Sequence, residues 1–534
     1  MANSIFDLNK TVTFRDADAS RAQYIQLPPV RDVTGDQFSA GPITFRWHNS
    51  SSTYTIPNKC YIRMRLRMVN QVVAGEPLRL TDDIAPNINM GHHFFSNCEW
   101  RINDRMVSRI SDYVAQIGAL DTRLNRSATW CKTIGAATNY AQVSMSSRKS
   151  AICNDGTPEF VRPTRALPVV ATYVQATGAF QFASAVARAQ VSVRSWLTPS
   201  TFYYPMRCDR INPADATQIL TTIDRVIPNG FNTWLLIPEP LEEDKNQGAS
   251  FQEITFQLPM SIWKVQHGIP ACNHQLILTP QTKAALERSI IESYYRDHPE
   301  VDIQFVVTEM YLMLWQIDGT PVTNTSFVID LENIRCQTDN NLKLNLTPKT
   351  FDVSPSTFAL TLAYQDNRVS GGDTRCSAAK FLAYSADITQ ETTQCLTRFY
   401  IQFAGQQYPN PDADPLRDDN FNSVVPSPAT IITDFAVERY MQTMINTGLF
   451  TTDDPESIGE FRTRGSYFYF PTPRDSTDNS TKVTIHQEFK SQTRLPILNS
   501  DMENMRVLLF DHSRQAAKIT IAGGHVTNVQ LEDV

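Results

Sequence analysis

Charge is scarce in this sequence, and what there is forms no blocks. Charged residues are 19% of the 534 positions, the formal net charge is −7, and no run of Lys and Arg exceeds two residues. A surface that neutralises phosphates needs clustered cations, so direct sequence-specific binding to nucleic acid is not expected. Glycine is outnumbered by proline, 20 to 31, which fits many strands joined by long, proline-punctuated loops. No apolar run of 18 residues occurs, and the opening MANSIFDLNKTVTFRDADAS has no apolar core of signal-peptide length. The chain therefore reads as a soluble protein made in the cytosol. Its nine cysteines are odd in number and irregularly spaced, and several sit inside apolar strand patterns; they read as buried thiols of a reducing compartment rather than a disulfide framework.

The motifs of catalysis are also missing. There is no HExxH, CxxC, GxSxG, P-loop or dinucleotide fingerprint, so no catalytic, cofactor-binding or metal site is assigned and no cofactor is expected. His92 and His93 precede a strand, where neighbours point to opposite faces and could not share one metal. Asp412, Asp414, Asp418 and Asp419 resemble half a calcium loop without its glycine and terminal glutamate; a solvated acidic loop is the preferred reading, adventitious calcium the second. Arg63, Arg65 and Arg67 form a comb on one strand face, read as solvated or inter-sheet before anion-binding. A carboxylate pair in a sandwich groove, as glycosidases use, cannot be picked from 55 acidic residues. A glycan-binding or glycan-hydrolysing β-sandwich therefore stands as the competing function class.

What is present is a strand, turn and helix that occurs twice. Phe94, Ser96, Cys98, Trp100 and Ile102 alternate with Phe95, Asn97, Glu99, Arg101 and Asn103, a period of two that makes a strand with one apolar face. Asn103-Asp104 supplies a turn. From Met106 the period becomes helical, with Met106, Ile110, Tyr113, Ile117, Leu120 and Leu124 on one stripe. In the second half Thr397, Phe399, Ile401 and Phe403 alternate, Ala404-Gly405 takes the turn, and Thr433 or Asp434 caps a helix with Val437, Tyr440, Met441, Met444 and Ile445 on one side and Gly448 as its stop. The repeated order predicts two related units.

Taken along the chain, residues 1–40 read as an N-terminal arm. Strands begin at Pro42–Trp47 and continue through Tyr54–Pro57 and Cys60–Met68. Residues 125–247 are a long excursion, followed by strands at Ile254–Leu258, His274–Leu278 and Ile303–Ile317, with a short helix expected over Pro280–Tyr295. Asp318-Gly319-Thr320-Pro321 is the best linker. Beyond it strands are expected at Ser326–Leu331, Leu342–Leu346, Thr357–Tyr364, Cys395–Phe403, Gly465–Phe470, Lys482–His486, Met505–Phe510 and Lys518–Ile521. The pattern is all-β: two tandem antiparallel sandwiches, 41–317 and 322–525, each with one helix, and a C-terminal tail at 526–534. Ile521-Ala522-Gly523-Gly524 has the look of a viral cysteine-protease cleavage site.

Two stretches resemble a known family. Asn89-Met90-Gly91-His92-His93-Phe94-Phe95-Ser96 leading into Trp100-Arg101-Ile102-Asn103-Asp104, and Phe399-Tyr400-Ile401-Gln402-Phe403-Ala404-Gly405-Gln406-Gln407-Tyr408-Pro409 followed by a helix and a Gly-Ser-Tyr-Phe strand entry, are similar to signatures of the double jelly-roll major capsid proteins of polinton-like viruses, virophages and adintoviruses, relatives of the adenovirus hexon. Asp104 stands where the family commonly has Gly, and the 125–247 excursion has no alignable counterpart. The resemblance implies two eight-stranded jelly rolls, no enzymatic activity, and a homotrimeric, pseudo-hexagonal capsomer in the virion of an icosahedral double-stranded DNA virus. Neighbouring capsomers and minor capsid proteins (penton or cement) are then the partners, and a minor capsid or spike protein is a further alternative.

Overall fold

The alternating stretches fold as strands, and their pairing places them in two copies of one topology. The computed structural model describes residues 19–70, 84–86, 89–127, 130, 170–174, 179–182, 203–212, 215–228, 250–269, 272–282, 286, 291–293, 303–321, 325–340, 347–366, 381, 396–408, 434–451, 461, 467–472, 480–489, 505–523 and 525–533. The first half contains β1 (Ala19–Leu27), β2 (Ile43–His48), β3 (Thr53–Thr55), β4 (Tyr61–Asn70), β5 (Ile84–Pro86), helix α1 (Met90–His93), β6 (Phe95–Ile102), β7 (Arg105–Ser111) and helix α2 (Val114–Asn125). It goes on through β8 (Val170–Val174), β9 (Ala179–Phe182), β10 (Tyr203–Asn212), β11 (Asp215–Pro228), β12 (Ser250–Phe256), β13 (Asn273–Pro280), β14 (Ile291–Ser293) and β15 (Ile303–Gly319). The second half contains β16 (Thr325–Asp339), β17 (Thr347–Asp352), β18 (Thr357–Asp366), β19 (Leu396–Phe403), β20 (Gln406–Tyr408), helix α3 (Asp434–Asn446), β21 (Tyr467–Pro471), β22 (Lys482–Phe489), β23 (Met505–Ala522) and β24 (His525–Asp533).

In the first half one sheet has the order β1-β15-β4-β12, with β3 added on β15, and the other β2-β13-β6-β7. Setting aside β3, β5, β14 and the strands of the excursion, the eight remaining strands fall in the order 1-8-3-6 facing 2-7-4-5. In the second half β16-β23-β18-β21 and β17-β22-β19-β20 repeat that order, strand for strand. This is the antiparallel jelly roll, present twice. β6 and β19, which carry the repeated alternation, are the fourth strand of their respective rolls.

Each core lies between its two sheets. In roll 1, Ile62, Met64, Leu66, Leu312 and Leu314 of one sheet face Phe45, Cys98, Trp100, Leu276 and Leu278 of the other, all buried. Trp100 meets Trp47 edge-on at 5.2 Å and Trp263 at 5.7 Å, an arrangement that aromatic quadrupoles favour. In roll 2, Leu360, Leu362, Tyr364 and Phe468 face Ile401, Phe403, Val483 and Ile485, and the Tyr364 hydroxyl crosses the sandwich to donate to Gln487 Oε1 at 2.7 Å. Cys60, Cys98, Cys272 and Cys336 are free and buried. Burial pushes the Cys60 thiol up to about 12 and raises the other three further, so these sulfurs act as small apolar side chains.

The two hairpins that follow β6 and β19 turn through paired left-handed residues, Asn103 and Asp104 (φ 46° and 64°) and Ala404 and Gly405 (φ 52° and 73°). Such mirror-image turns match the twist of antiparallel strands. Asp104 fills this position without glycine because a short polar side chain tolerates φ > 0.

Several sequence expectations are corrected. The 1–40 arm contains β1, which pairs with β15 from Ala19↔Gly319 to Leu27↔Leu312 and is strand one of roll 1. The helical stripe begins too early: Met106 and Ile110 lie on β7, where Met106 is 40% exposed, and the helix starts at Val114 after Asp112 and Tyr113 (φ 60° and 56°) break the chain direction. Ile291–Ser293, expected within a helix, is a strand paired with β5; 283–285 and 287–290 lie outside the described residues, as does 342–346. His92 and His93 sit in α1, not on a strand entry. Met505–Phe510 and Lys518–Ile521 belong to one strand, β23. In the 526–534 tail, residues 526–533 belong to strand β24, paired to β23 from Gln515↔Asp533 to Ala522↔His525, and Gly523 (φ 62°) of the cleavage-like Ile521–Gly524 stretch lies in the hairpin turn between them.

Candidate interaction surface

Helix α2 should show one buried stripe, but nearly all of it is buried. Gln116, Thr122 and Arg123 are covered along with Val114, Ile117 and Leu120. The first reason is roll 1 itself, onto which the apolar residues pack. Gly118 is the point of closest approach to α1: a Cβ there would fall 2.0 Å from His92 Nδ1. His92 Nε2 lies 2.7 Å from the Gln257 carbonyl; donating there leaves Nδ1 bare toward Gly118, and burial lowers the pKa of the ring, which stays neutral.

The second reason is roll 2, which covers the polar side of the helix. Tyr113 hydroxyl is 3.0 Å from Thr338 Oγ1, and Gln116 Nε2 donates to Gln365 Oε1 at 3.4 Å. Arg506 shares that acceptor, its Nε 3.1 Å away. The Arg123 guanidinium stands 4.5 Å from the Tyr467 ring centre, with Phe461 and Phe381 at 5.9 and 6.0 Å. A delocalised cation between ring faces is well placed once desolvated.

The same side of roll 1 continues along roll 2. Ser108 Oγ is 2.8 Å from Ser261 Oγ, which donates to Asn333 Oδ1 at 2.8 Å. At the hairpin tip Asn103 Nδ2 donates to the Val526 carbonyl at 2.7 Å. Thr338, Gln365, Tyr467 and Arg506 come from β16, β18, β21 and β23, the four strands of the 1-8-3-6 sheet of roll 2. Within one chain, then, the hairpin-and-helix side of one roll lies on the outer face of the other roll's sheet. The geometry offers packing and hydrogen bonds; among the described residues it brings together no reactive constellation.

The candidates from sequence stay apart. Arg65 makes an exposed ion pair with Glu309 at 3.6 Å, Arg63 is half-buried, and the Arg67 side chain is outside the described residues, so the comb is a strand face beside an acidic neighbour. Asp412, Asp414, Asp418 and Asp419 lie outside the described residues. Among the described residues no group of three His, Cys, Asp or Glu is placed to hold a metal ion, and no helix is long and apolar enough to cross a membrane. The excursion contributes a four-stranded sheet, β11-β10-β8-β9; the rest of 125–247 beyond α2 is mostly outside the described residues. Sequence reading missed the seam partners Gln365, Tyr467 and Arg506. Gln116 and Arg123 share α2 with the polar Asp121, Thr122 and Asn125, so nothing in the sequence marks them as seam residues.

No protein family and no curated protein matches the sequence. Solved structures do match the fold. A chain in the cryo-EM structure of the Sputnik virophage is 10% identical, with a TM-score of 0.55 and coverage of 100% of this chain and 92% of that one. The Faustovirus major capsid protein is 9% identical with a TM-score of 0.45, covering 96% of this chain and 93% of that one, and the mavirus major capsid protein is 10% identical at 0.42, covering 98% and 94%. The first of these matches, together with the two repeated strand orders, shows the double jelly-roll fold.

Proposed function

We propose that this chain is the major capsid protein of an icosahedral double-stranded DNA virus, a building block without enzymatic activity. The observation that carries the proposal is the seam: two jelly rolls with the same strand order pack on each other through a buried helix, giving one block with two similar lobes. Three such blocks make a six-lobed, pseudo-hexagonal capsomer, a closed homo-oligomer that tiles a flat facet. The rolls are two domains dividing at 320–324, β1 belonging to the first and β24 to the second. The Sputnik virophage likeness supports the reading at the level of fold.

The capsomer is a homotrimer whose partners are neighbouring capsomers and minor capsid proteins of penton or cement type. It is made in the host cytosol and resides in the virion. The 125–247 excursion leaves roll 1 between α2 and β12, and its four described strands pair in a sheet of their own. Electron microscopy of purified protein in negative stain is the test: six-cornered blocks or shells are expected, and a stable monomer at micromolar concentration sinks the proposal.

A further inference from the structure

A titratable side chain lies inside the seam between the rolls. On β23, Val507, Leu509 and Asp511 pair with the inward-facing Tyr364, Leu362 and Leu360 of β18. Arg506, Leu508, Phe510 and His512 therefore fall on the outer face, the one that meets roll 1. Arg506 marks that contact, its guanidinium 5.9 Å from the Tyr113 ring centre. His512, on the same face, is 0% exposed. Part of its cover is local, the Tyr469 ring at 5.4 Å and the Phe358 ring at 6.2 Å, both edge-on. On the roll 1 side stands the Ser261–Lys264 turn: Ser261 reaches Asn333 of β16, and Lys264 brings its charge near the imidazole.

The site suits a neutral ring and serves a charged one badly. His512 Nε2 is 2.8 Å from Thr361 Oγ1, and Nδ1 has no hydrogen-bond partner among the described residues. Three charges face the ring. Glu332 of β16 has its Oε1 3.9 Å from Nδ1, but its side chain is half exposed. Lys264 comes from roll 1 and is itself 2.5 Å from Asp121 of α2. Arg514 of β23 stands 4.6 Å from the Phe358 ring centre. Asp511 is turned to the opposite face, where Arg335 and the Ser354 amide hold it. Burial first, and then Lys264, push the ring down to about 3; parting the rolls returns it to water, where an imidazole protonates near 6.5. We propose that the seam is a latch released by acid, the charging of His512 parting the two rolls while each keeps its own sandwich. Above about pH 6.5 the ring is neutral in both states and the latch is at full strength. Below it only the open state takes up the proton, so opening gains about tenfold per pH unit until the closed ring titrates near 3. His274 plays no such part: it lies among Trp47, Trp100 and Asn49 inside roll 1, and only unfolding of that roll reaches it. The seam lies within one chain, so the latch is independent of the capsomer reading.

The test is thiol trapping on the full chain. Cys336 is buried on the same sheet face, its pairing with Phe510 next to that of Ile334 with His512, whereas Cys98 is buried in the core of roll 1. Labelling with a dipyridyl disulfide, a reagent that stays reactive in acid, is followed by peptide mass spectrometry at pH 7, 6 and 5 and divided by the rate for the urea-unfolded chain at each pH. Cys336 should label faster than Cys98 throughout, because the latch opens short of unfolding. Its normalised rate should rise about twentyfold or more from pH 7 to pH 5. In a His512→Gln chain, which keeps a neutral partner for Thr361 and is checked for folding by circular dichroism, most of that rise should vanish. A flat Cys336 rate in the unmodified chain, equal rates at Cys336 and Cys98, or a full rise in folded His512→Gln overturns the proposal. The first two outcomes are read on the unmodified chain, so they decide the matter even where the variant does not fold.

Discussion

Helices α2 and α3 occupy the same place in two copies of one fold, between the fifth and sixth strands, yet they meet different surroundings. α2 is covered on almost every side, polar residues included; α3 buries Thr443 and Met444 but leaves Ile445 in solvent. The expected apolar side of α3 held for Met444 and failed for Ile445. Topology thus sets where a helix docks on its own roll, and the neighbour sets whether its remaining face is a surface. In α2 the neighbour is the second half of the chain.

The largest effect that would break this comparison is a methyl group at Gly118. Gly118→Ala drives a Cβ to within 2.0 Å of a buried imidazole, and it should cost more than about 3 kcal/mol, beyond ordinary overpacking. Urea unfolding measures it, and His92→Ala in the same chain should return much of the loss, a coupling expected only for residues in contact. Next comes a matched pair of truncations. Ile117→Ala on fully buried α2 should destabilise by about 3 kcal/mol, whereas Ile445→Ala on α3 should change monomer stability by about 0.5 kcal/mol or less. Equal losses in thermal or urea unfolding would erase the distinction between the helices.

Acid should act on both rolls alike. His274 in roll 1 and His512 in roll 2 are fully buried, and burial pushes each down to about 3, the His48 and Lys264 charges adding respectively. Such a histidine is neutral in the folded chain and protonates near 6.5 once unfolded. The unfolded state therefore binds more protons below that value, so stability is full above about pH 6.5 and falls as pH drops toward 3. The slope is about 1.4 kcal/mol per pH unit for each histidine. Urea midpoints taken at pH 7, 6 and 5 should fall accordingly, and the slope should ease in a His512→Gln chain. The smallest effect is Arg123→Lys, which keeps the charge but loses planar stacking on Tyr467; about 1 kcal/mol of seam stability is expected to go, read as a lowered unfolding midpoint.

Much of this architecture was legible because it is local. The alternation in β6 and β19, the Asn103-Asp104 and Ala404-Gly405 turns and the Gly448 stop, which has φ 76°, each declare themselves within a few residues. What stayed hidden depends on distant partners. β1 alternates weakly, and its role is defined by β15 near the far end of the roll. β23 reads from sequence as two strands, 505–510 and 518–521, with the polar Asp511-His512-Ser513-Arg514 run just after the first. Instead Asp511 and His512 are buried: Asp511 accepts from the Ser354 amide at 2.9 Å and from Arg335 at 3.0 Å, and His512 Nε2 is 2.8 Å from Thr361 Oγ1. A polar pair held inside the fold by such partners cannot be told from a solvated one without them. Ile110 fits either period, so the helical stripe reads from Met106 although α2 begins at Val114. The seam was illegible for the same reason as β1, since Gln116 finds Gln365 only in the folded chain.

Pairing the first strand of each roll with its last also sets a timetable. Arg21 is matched with Asp318, and Thr325 with Ile521, so a ribosome adding roughly 5–20 residues per second leaves β1 without its partner for tens of seconds, while the β6–β7 hairpin can close in about 1–10 μs. Roll 1 becomes complete only when Gly319 has emerged, just before β16 begins. Even then α2 must wait, Gln116 and Arg123 still wet, until Tyr467 and Arg506 are translated. During synthesis the nascent chain therefore presents first an open sheet and then an uncovered helix, and two copies emerging side by side on one messenger could trade those surfaces before either has finished its own.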